Sequence, residues 1–421
     1  MISEKQLKIA MLSTHSCPLG KLGAKDTGGM SVYIVELARE LGKRGHQVDV
    51  YTRVHDPRDE QITGLGNNAR LIHLRAGKIG FVDKLAVYPL LPDFVRELES
   101  FRRQNDIHYD LIHSHYWLSG WAGRLLQKQW QVPHITMFHT VGAIKNALGI
   151  GDREPELRLR TEQNIMQNAQ RIIVATEREK RDLSSHCNAA PERISVIPCG
   201  VNMDLFRPMD RELARQESGM SSAEKHILFV GRIEPLKGVD RLLTALAYLK
   251  DKLPVKLWII GGDARSQQEV ERLKVLAREL GVQASVAFLG LVKQAELPHY
   301  YSAADVCVIP SYYESFGLVL LESLACGTPV VATDVGAAKS IVRAGKTGYV
   351  VPDNSPRRLA QRLMQILAKP PASTESRNAM RASVARYSWA YVAAMVESEY
   401  YSALAEYASC PLVSFQCSVE G

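Results

Sequence analysis

The sequence predicts an α/β protein made of two doubly wound, parallel-sheet domains, and three observations carry that reading. A chain of 421 residues is too long for one ordinary hydrophobic core and suits two. Short apolar runs alternate with amphipathic helical stretches in both halves, as βαβ units require. The alternation stops in a polar stretch at roughly 203 to 224 and restarts at His226, which places a linker there.

The first strand, Lys8-Ile9-Ala10-Met11-Leu12, leads through a loop, Ser13 to Thr27, into Gly28-Gly29-Met30-Ser31, which opens an amphipathic helix ending near Gly45. Further strands read at Gln47 to Arg53, Arg70 to Leu74, Leu111 to Ser114, His134 to Phe138 and Arg171 to Ala175. A dinucleotide-binding G-x-G-x-x-G should follow the first strand of a dehydrogenase, and Asp26-Thr27-Gly28-Gly29 stands there instead. Read alone, those glycines fit a tight βα turn equally well. Two stretches fall at the carboxyl ends of strands, where open parallel sheets bind ligands: His113-Ser114-His115-Tyr116-Trp117 and Phe138-His139-Thr140. His113 and His115 read as hydrogen-bonded structural histidines, and Tyr116 fits a core-facing position as well as a site. Arg158 and Glu162 share a face of the next helix, a spacing that alone describes a surface ion pair worth well under about 1 kcal/mol.

In the second half, strands read at His226 to Val230, Lys256 to Ile260, Val286 to Gly290 and Val306 to Pro310. Arg232 and Lys237 flank the turn after the first of these, so both can reach one anion. Cations at a helix start oppose the helix dipole unless an anion lies between them. The last strand runs into Glu314-Ser-Phe-Gly-Leu-Val-Leu-Leu-Glu322, whose helix, Leu318 to Ala325, closes at Cys326-Gly327-Thr328-Pro329. Such a junction leaves backbone N–H groups from about Phe316 to Val319 free for a phosphate. Standing alone, Glu314 could simply cap that helix and Glu322 face solvent. Helical stretches follow Pro352 and end with Trp389 to Tyr407, and the tail from Cys410 shows no periodicity.

Composition removes several classes of function. Hydrophobic residues at 46% and charged ones at 23% are the values of a soluble globular protein. Runs such as Leu318 to Leu321 fall far short of the roughly 20 residues of a membrane span. No signal peptide precedes the first strand, so a cytoplasmic enzyme is expected. The seven cysteines lack C-x-x-C spacing and read as reduced thiols, with no zinc site. A net charge of +7 favours anionic ligands and leaves peripheral membrane contact open, but without a Lys/Arg run or basic-aromatic stripe no nucleic-acid partner is expected. No D-x-D pair exists to bridge a diphosphate through a metal.

Together, the E-x7-E segment and Gly231-Arg232-Ile233-Glu234-Pro235-Leu236-Lys237-Gly238 make the chain resemble the retaining nucleotide-sugar glycosyltransferases of the GT-B fold, glycosyltransferase group 1 and family 4. That group includes sucrose-phosphate synthases and the mycothiol-pathway D-inositol-3-phosphate glycosyltransferase, and the likeness runs over nearly the whole chain. The resemblance implies two Rossmann-like domains facing a central cleft: an acceptor domain over 1–205, a donor domain over 206–385, and a last segment, 386–421, whose helix crosses back to the first domain. It implies transfer of a hexosyl group from a nucleotide-diphosphate sugar, a UDP-sugar by this likeness, to a small acceptor, without metal or cofactor, since the nucleotide sugar is a substrate. Implied catalytic residues are His139, Arg232, Lys237 and Glu314. Gly28, Gly29, Val292, Phe316, Gly317, Leu318, Val319 and Glu322 would join Arg232 and Lys237 in binding the donor, with Glu322 on the ribose and Glu314 on the transferred sugar. Lys84, Tyr116, Thr140 and Arg158 match positions that hold an acceptor phosphate, which favours a small phosphorylated polyol or sugar. A lipid acceptor would need a basic-aromatic amphipathic stretch, for which Phe81 to Leu91 is a partial candidate. Two rivals share these motifs, a nucleotide-sugar epimerase and a non-catalytic nucleotide-sugar binder. The oligomeric state, monomer or homodimer, is left open.

Overall fold

The structure is a computed structural model that describes residues 5–23, 27–80, 82–150 and 152–409. Asp26, Phe81, Cys410 and Cys417 lie outside the described residues. Among the described residues fourteen strands form two sheets: β1 (Lys8–Leu12), β2 (Gln47–Arg53), β3 (Ile62–Gly66), β4 (Ala69–Leu74), β5 (Leu111–His115), β6 (His134–Met137), β7 (Arg171–Val174) and β8 (Ile194–Val196) in the first, and β9 (Lys225–Val230), β10 (Val255–Ile260), β11 (Val286–Gly290), β12 (Val306–Ile309), β13 (Val330–Thr333) and β14 (Gly348–Val351) in the second.

The first sheet runs β3-β4-β2-β1-β5-β6-β7-β8, parallel throughout except where β3 pairs antiparallel with β4. The second runs β11-β10-β9-β12-β13-β14, all parallel. Helices cover both faces of each sheet, so the central strands are buried along their length and not alternately; Ile9, Ala10, Met11 and Leu12 of β1 are all buried, and so are Leu111 to His115 of β5. In each sheet the strand order reverses beside its first strand, between β1 and β5 and between β9 and β12. Those reversals open a crevice at the carboxyl ends of the strands.

The final helix, Trp389–Ser409, packs on Gly29–Lys43 of the first lobe. Trp389 meets Tyr33 edge-on at 5.4 Å, and Glu397 bonds His46 at 2.6 Å and the Arg44 Nε at 2.6 Å. Where the chain passes between the lobes, Val201 pairs with Ser388 and its N–H donates to the Tyr387 carbonyl at 2.8 Å. Among the described residues no helix is long and apolar enough to cross a membrane. The described cysteines are free thiols, with Cys199, Cys307 and Cys326 buried.

Two differences from the sequence reading have physical causes. The polar stretch 203–224 is not a plain linker: it holds a helix, Arg211–Ser218, capped by Asp210 and stopped at Gly219. Its apolar contribution is small, and Arg215 docks it instead by pairing with the buried Asp305 at 2.9 Å. The edge strand β3, Ile-Thr-Gly-Leu-Gly, escapes the pattern because its two glycines dilute an already short apolar signal.

Candidate active site

The loops that leave β1, β5, β6, β9, β10, β11 and β12 meet around one cavity of about 350 Å³ between the two sheets. On the second-lobe side, the turn Glu234 to Gly238 lies directly on the strand exit at Pro310. Gly238 has φ +66°, and a Cβ there would stand 2.2 Å from the Pro310 carbonyl oxygen, so only glycine permits this approach. The turn delivers Lys237 to Glu314, Nζ to Oε1 2.7 Å, while the Ser311 hydroxyl donates to the same oxygen at 2.8 Å. Arg232 pairs with Glu234 at 2.9 Å. Gly317, φ +98°, turns the chain into the helix Leu318–Ala325 with its opening amides at the cavity. One turn in, Glu322 is buried against the Tyr301 hydroxyl, which donates to Oε2 at 2.7 Å. Burial raises the Glu322 carboxyl to about 7. It does not face solvent.

Across the cavity, Gly28 and Gly29 approach these loops closely. A Cβ on Gly28 would sit 3.7 Å from Arg232, and one on Gly29 3.3 Å from Leu318. His139 stands at the exit of β6 with φ +59°, its Nε2 3.0 Å from His115 Nδ1, and burial pushes its imidazole down to about 3. Tyr116, φ +76°, precedes the helix Trp117–Trp130, and Lys84 begins the short helix Lys84–Val87 behind the cap Asp83.

Arg158 and Glu162 do pair, at 2.7 Å, but not on the surface: they are 1% and 2% exposed. The guanidinium lies behind the cavity wall. It donates from Nη1 to the Tyr116 hydroxyl at 3.0 Å and to Glu154 at 2.9 Å, and from Nη2 to the Thr140 carbonyl at 2.8 Å and hydroxyl at 3.1 Å. All five of its N–H groups thereby have acceptors within the protein. Such a residue sets the positions of Tyr116 and Thr140, with its charge met by Glu162 and Glu154.

Two family models match the chain: Glycosyltransferase Family 4 over residues 27–205 and Glycosyl transferases group 1 over residues 210–386. The D-inositol 3-phosphate glycosyltransferase of Corynebacterium glutamicum (strain R) is 38% identical over 407 residues, 95% of this chain and 97% of its own length. The chain belongs to the group 1, family 4 glycosyltransferases. Another D-inositol 3-phosphate glycosyltransferase, from Mycolicibacterium smegmatis, is 38% identical over 96% of this chain and 93% of its own. Among solved structures, the sucrose-phosphate synthase of Thermosynechococcus elongatus superposes with a TM-score of 0.86 at 33% identity, covering 96% of this chain and 100% of that one. The fold is GT-B.

In this glycosyltransferase the sequence-predicted residues converge. His139, Arg232, Lys237, Glu314, Gly28, Gly29, Val292, Phe316, Gly317, Leu318, Val319, Glu322, Lys84, Tyr116 and Thr140 all line the one cavity, and only Arg158 stands behind it. The structure adds groups that the sequence reading passed over. His15, at the exit of β1, lines the cavity with its ring 4.4 Å from that of Tyr116, and its Nδ1 is buried without a partner among the described residues. Burial, then the charge of Lys84, holds its imidazole well below the usual range. The strand-exit position was the signal that could have found it. Lys145 also lines the cavity, paired with Glu154, and so does Tyr313. Among the described residues no three His, Cys, Asp or Glu side chains gather as metal ligands.

Proposed function

We propose that this glycosyltransferase binds a nucleoside-diphosphate sugar against its second lobe and transfers the hexosyl group, with retention, to a hydroxyl of a small phosphorylated polyol or sugar held by the first lobe. The supporting observation is the division of one cavity: Arg232, Lys237 and the opening of the helix Leu318–Ala325 on one side, Lys84, Tyr116, His139 and Thr140 on the other. In this reading Glu322 takes the ribose hydroxyls, Glu314 those of the sugar, and the backbone from Phe316 to Val319 the phosphate. As the bond from the anomeric carbon to the diphosphate breaks, its electron pair stays on the phosphate oxygen, where Arg232 and Lys237 offset it. The acceptor oxygen bonds to the same face, and its proton passes to that phosphate oxygen. No further general base and no metal are required.

Charge-assisted hydrogen bonds contribute about 1.5–3 kcal/mol each, against the roughly 8–23 kcal/mol by which enzymes lower barriers. Holding donor and acceptor together supplies a further ~7–11 kcal/mol, so closure of the lobes belongs to the mechanism. A cytoplasmic place of work is part of the same reading, and so is a UDP-sugar as the first donor to test.

The deciding experiment measures nucleoside diphosphate release over a panel of donors, with inositol 3-phosphate or fructose 6-phosphate against the unphosphorylated compounds, with and without EDTA. Turnover with a phosphorylated acceptor, unaffected by EDTA and giving a retained anomeric configuration, is expected. Equal use of both acceptor forms removes the phosphate from the reading, and inversion removes the retaining mechanism.

A further inference from the structure

His139 is fixed from behind by a second imidazole that does not itself line the cavity. His115 Nδ1 lies 3.0 Å from His139 Nε2. His113 and His115, two residues apart on β5, project to one face of the sheet with ring centroids 4.3 Å apart. His113 Nδ1 in turn meets the Tyr400 hydroxyl of the final helix at 2.7 Å. Tyr33 stands edge-on to both His115 and His139, at 5.6 and 5.4 Å. A row of imidazoles therefore runs from the crossing helix to the cavity.

The placement of protons along this row determines what His139 offers a substrate. Burial keeps these rings neutral, each with one N–H and one lone pair. The contact between His115 and His139 needs one donor and one acceptor. His115 Nε2 is buried and has no partner among the described residues. A proton on that nitrogen would leave an orphaned N–H in the interior, a rarer and costlier state than an unmet lone pair. The proton of His115 therefore belongs on Nδ1, donated to His139 Nε2. His139 must then carry its own proton on Nδ1, the nitrogen that His115 does not engage. We propose that His115 is a positioning residue, locking His139 as the Nδ1–H tautomer so that it presents a hydrogen-bond donor, and not a base, to an oxygen of the transferred sugar. The proposal rests on the reading of the cavity as a sugar-transfer site.

Two-bond proton–nitrogen correlation spectra of the full chain labelled with 15N-histidine test it, with His139→Gln assigning the signal. The Nδ1–H pattern is expected for His139 in the wild type, giving way towards Nε2–H in His115→Phe. In that variant kcat should fall by about tenfold or more while donor KM changes by less than about threefold. His115→Asn, whose amide nitrogen can take the place of Nδ1, should restore most of the lost kcat. An Nε2–H pattern in the wild type overturns the proposal, as does full kcat in a His115→Phe protein that melts like the wild type. Should His115→Phe fail to fold, the wild-type spectrum and His115→Asn still decide. An Nδ1–H pattern in a protein that turns over no donor and acceptor would overturn the transferase reading, and the role of His139 with it, while leaving the tautomer in place.

Discussion

Lys237 and Glu314 hold each other across the two loops that meet at the second-lobe wall of the cavity, 2.7 Å apart. In the proposed reaction the charge of Lys237 acts on the departing diphosphate, so Lys237→Ala should lower kcat by roughly 100-fold or more and barely move the acceptor KM. Steady-state kinetics with each substrate varied in turn checks this; an unchanged kcat with a raised acceptor KM would count against the role. Glu322 makes a second expectation. Burial raises its carboxyl to about 7, so below that pH the cavity holds it mostly protonated. As a carboxylate it can accept from both ribose hydroxyls, and donor binding should then expel the proton. Donor affinity should accordingly strengthen as pH rises from about 5.5 to 7, by up to about tenfold per unit, and level off above. Calorimetric titration across that range should show the slope in the wild type and none in Glu322→Gln. A flat wild-type profile would remove Glu322 from the ribose. In the fold itself the sign is opposite for stability: a carboxyl neutral when folded and ionised when unfolded withdraws stability as pH climbs from the ordinary carboxylate range towards 7.

Between residue and lobe, the turn Glu234 to Gly238 shows how an element's backbone sets the chemistry. Gly238→Ala places a Cβ 2.2 Å from the Pro310 carbonyl at φ +66°, so the turn must shift and take Lys237 with it. The left-handed conformation alone costs roughly 1–2 kcal/mol for alanine. A small fall in melting temperature with at least a tenfold fall in kcat/KM for the donor is expected; full activity would show that the turn has slack. Elements of this kind were legible in the sequence where apolar and glycine signals agree, as at β1, β9 and the junction Glu314 to Glu322. Legibility failed where stability comes from partners distant in the chain. The helix Arg211–Ser218 looks like linker because its anchor, Asp305, lies far along the sequence. The burial of Arg158 depends on Tyr116 and Thr140, which no i to i+4 spacing reveals. His115 sits on the same face as His113 by simple strand alternation, yet only the fold brings His139 to its nitrogen. His15 carries one signal only, its place at the exit of β1, with no spacing to a second site residue to reinforce it.

At the scale of the whole molecule, the cavity walls belong to different lobes, with Gly28 and Gly29 standing against Arg232 and Leu318. Transfer needs both substrates out of water, so small-angle scattering should show the protein contracting when donor and acceptor analogue are added together. Superimposable curves would contradict closure. The manner of that motion follows from the double passage of the chain. The outgoing segment at Val201 and the returning one at Ser388 lie side by side and are hydrogen-bonded, while Arg381 grips the Met203 and Phe206 carbonyls from the second lobe. A single tether would let the lobes swivel about any axis. Two tethers fastened together should bend, like the spine of a book, more easily than they twist, which would favour one direction of closure for the pair of lobes. Each closing stroke should therefore bring His139 and Glu314 to the sugar along the same arc, so that alignment at the reacting carbon is inherited from the spine and need not be found anew by the substrates.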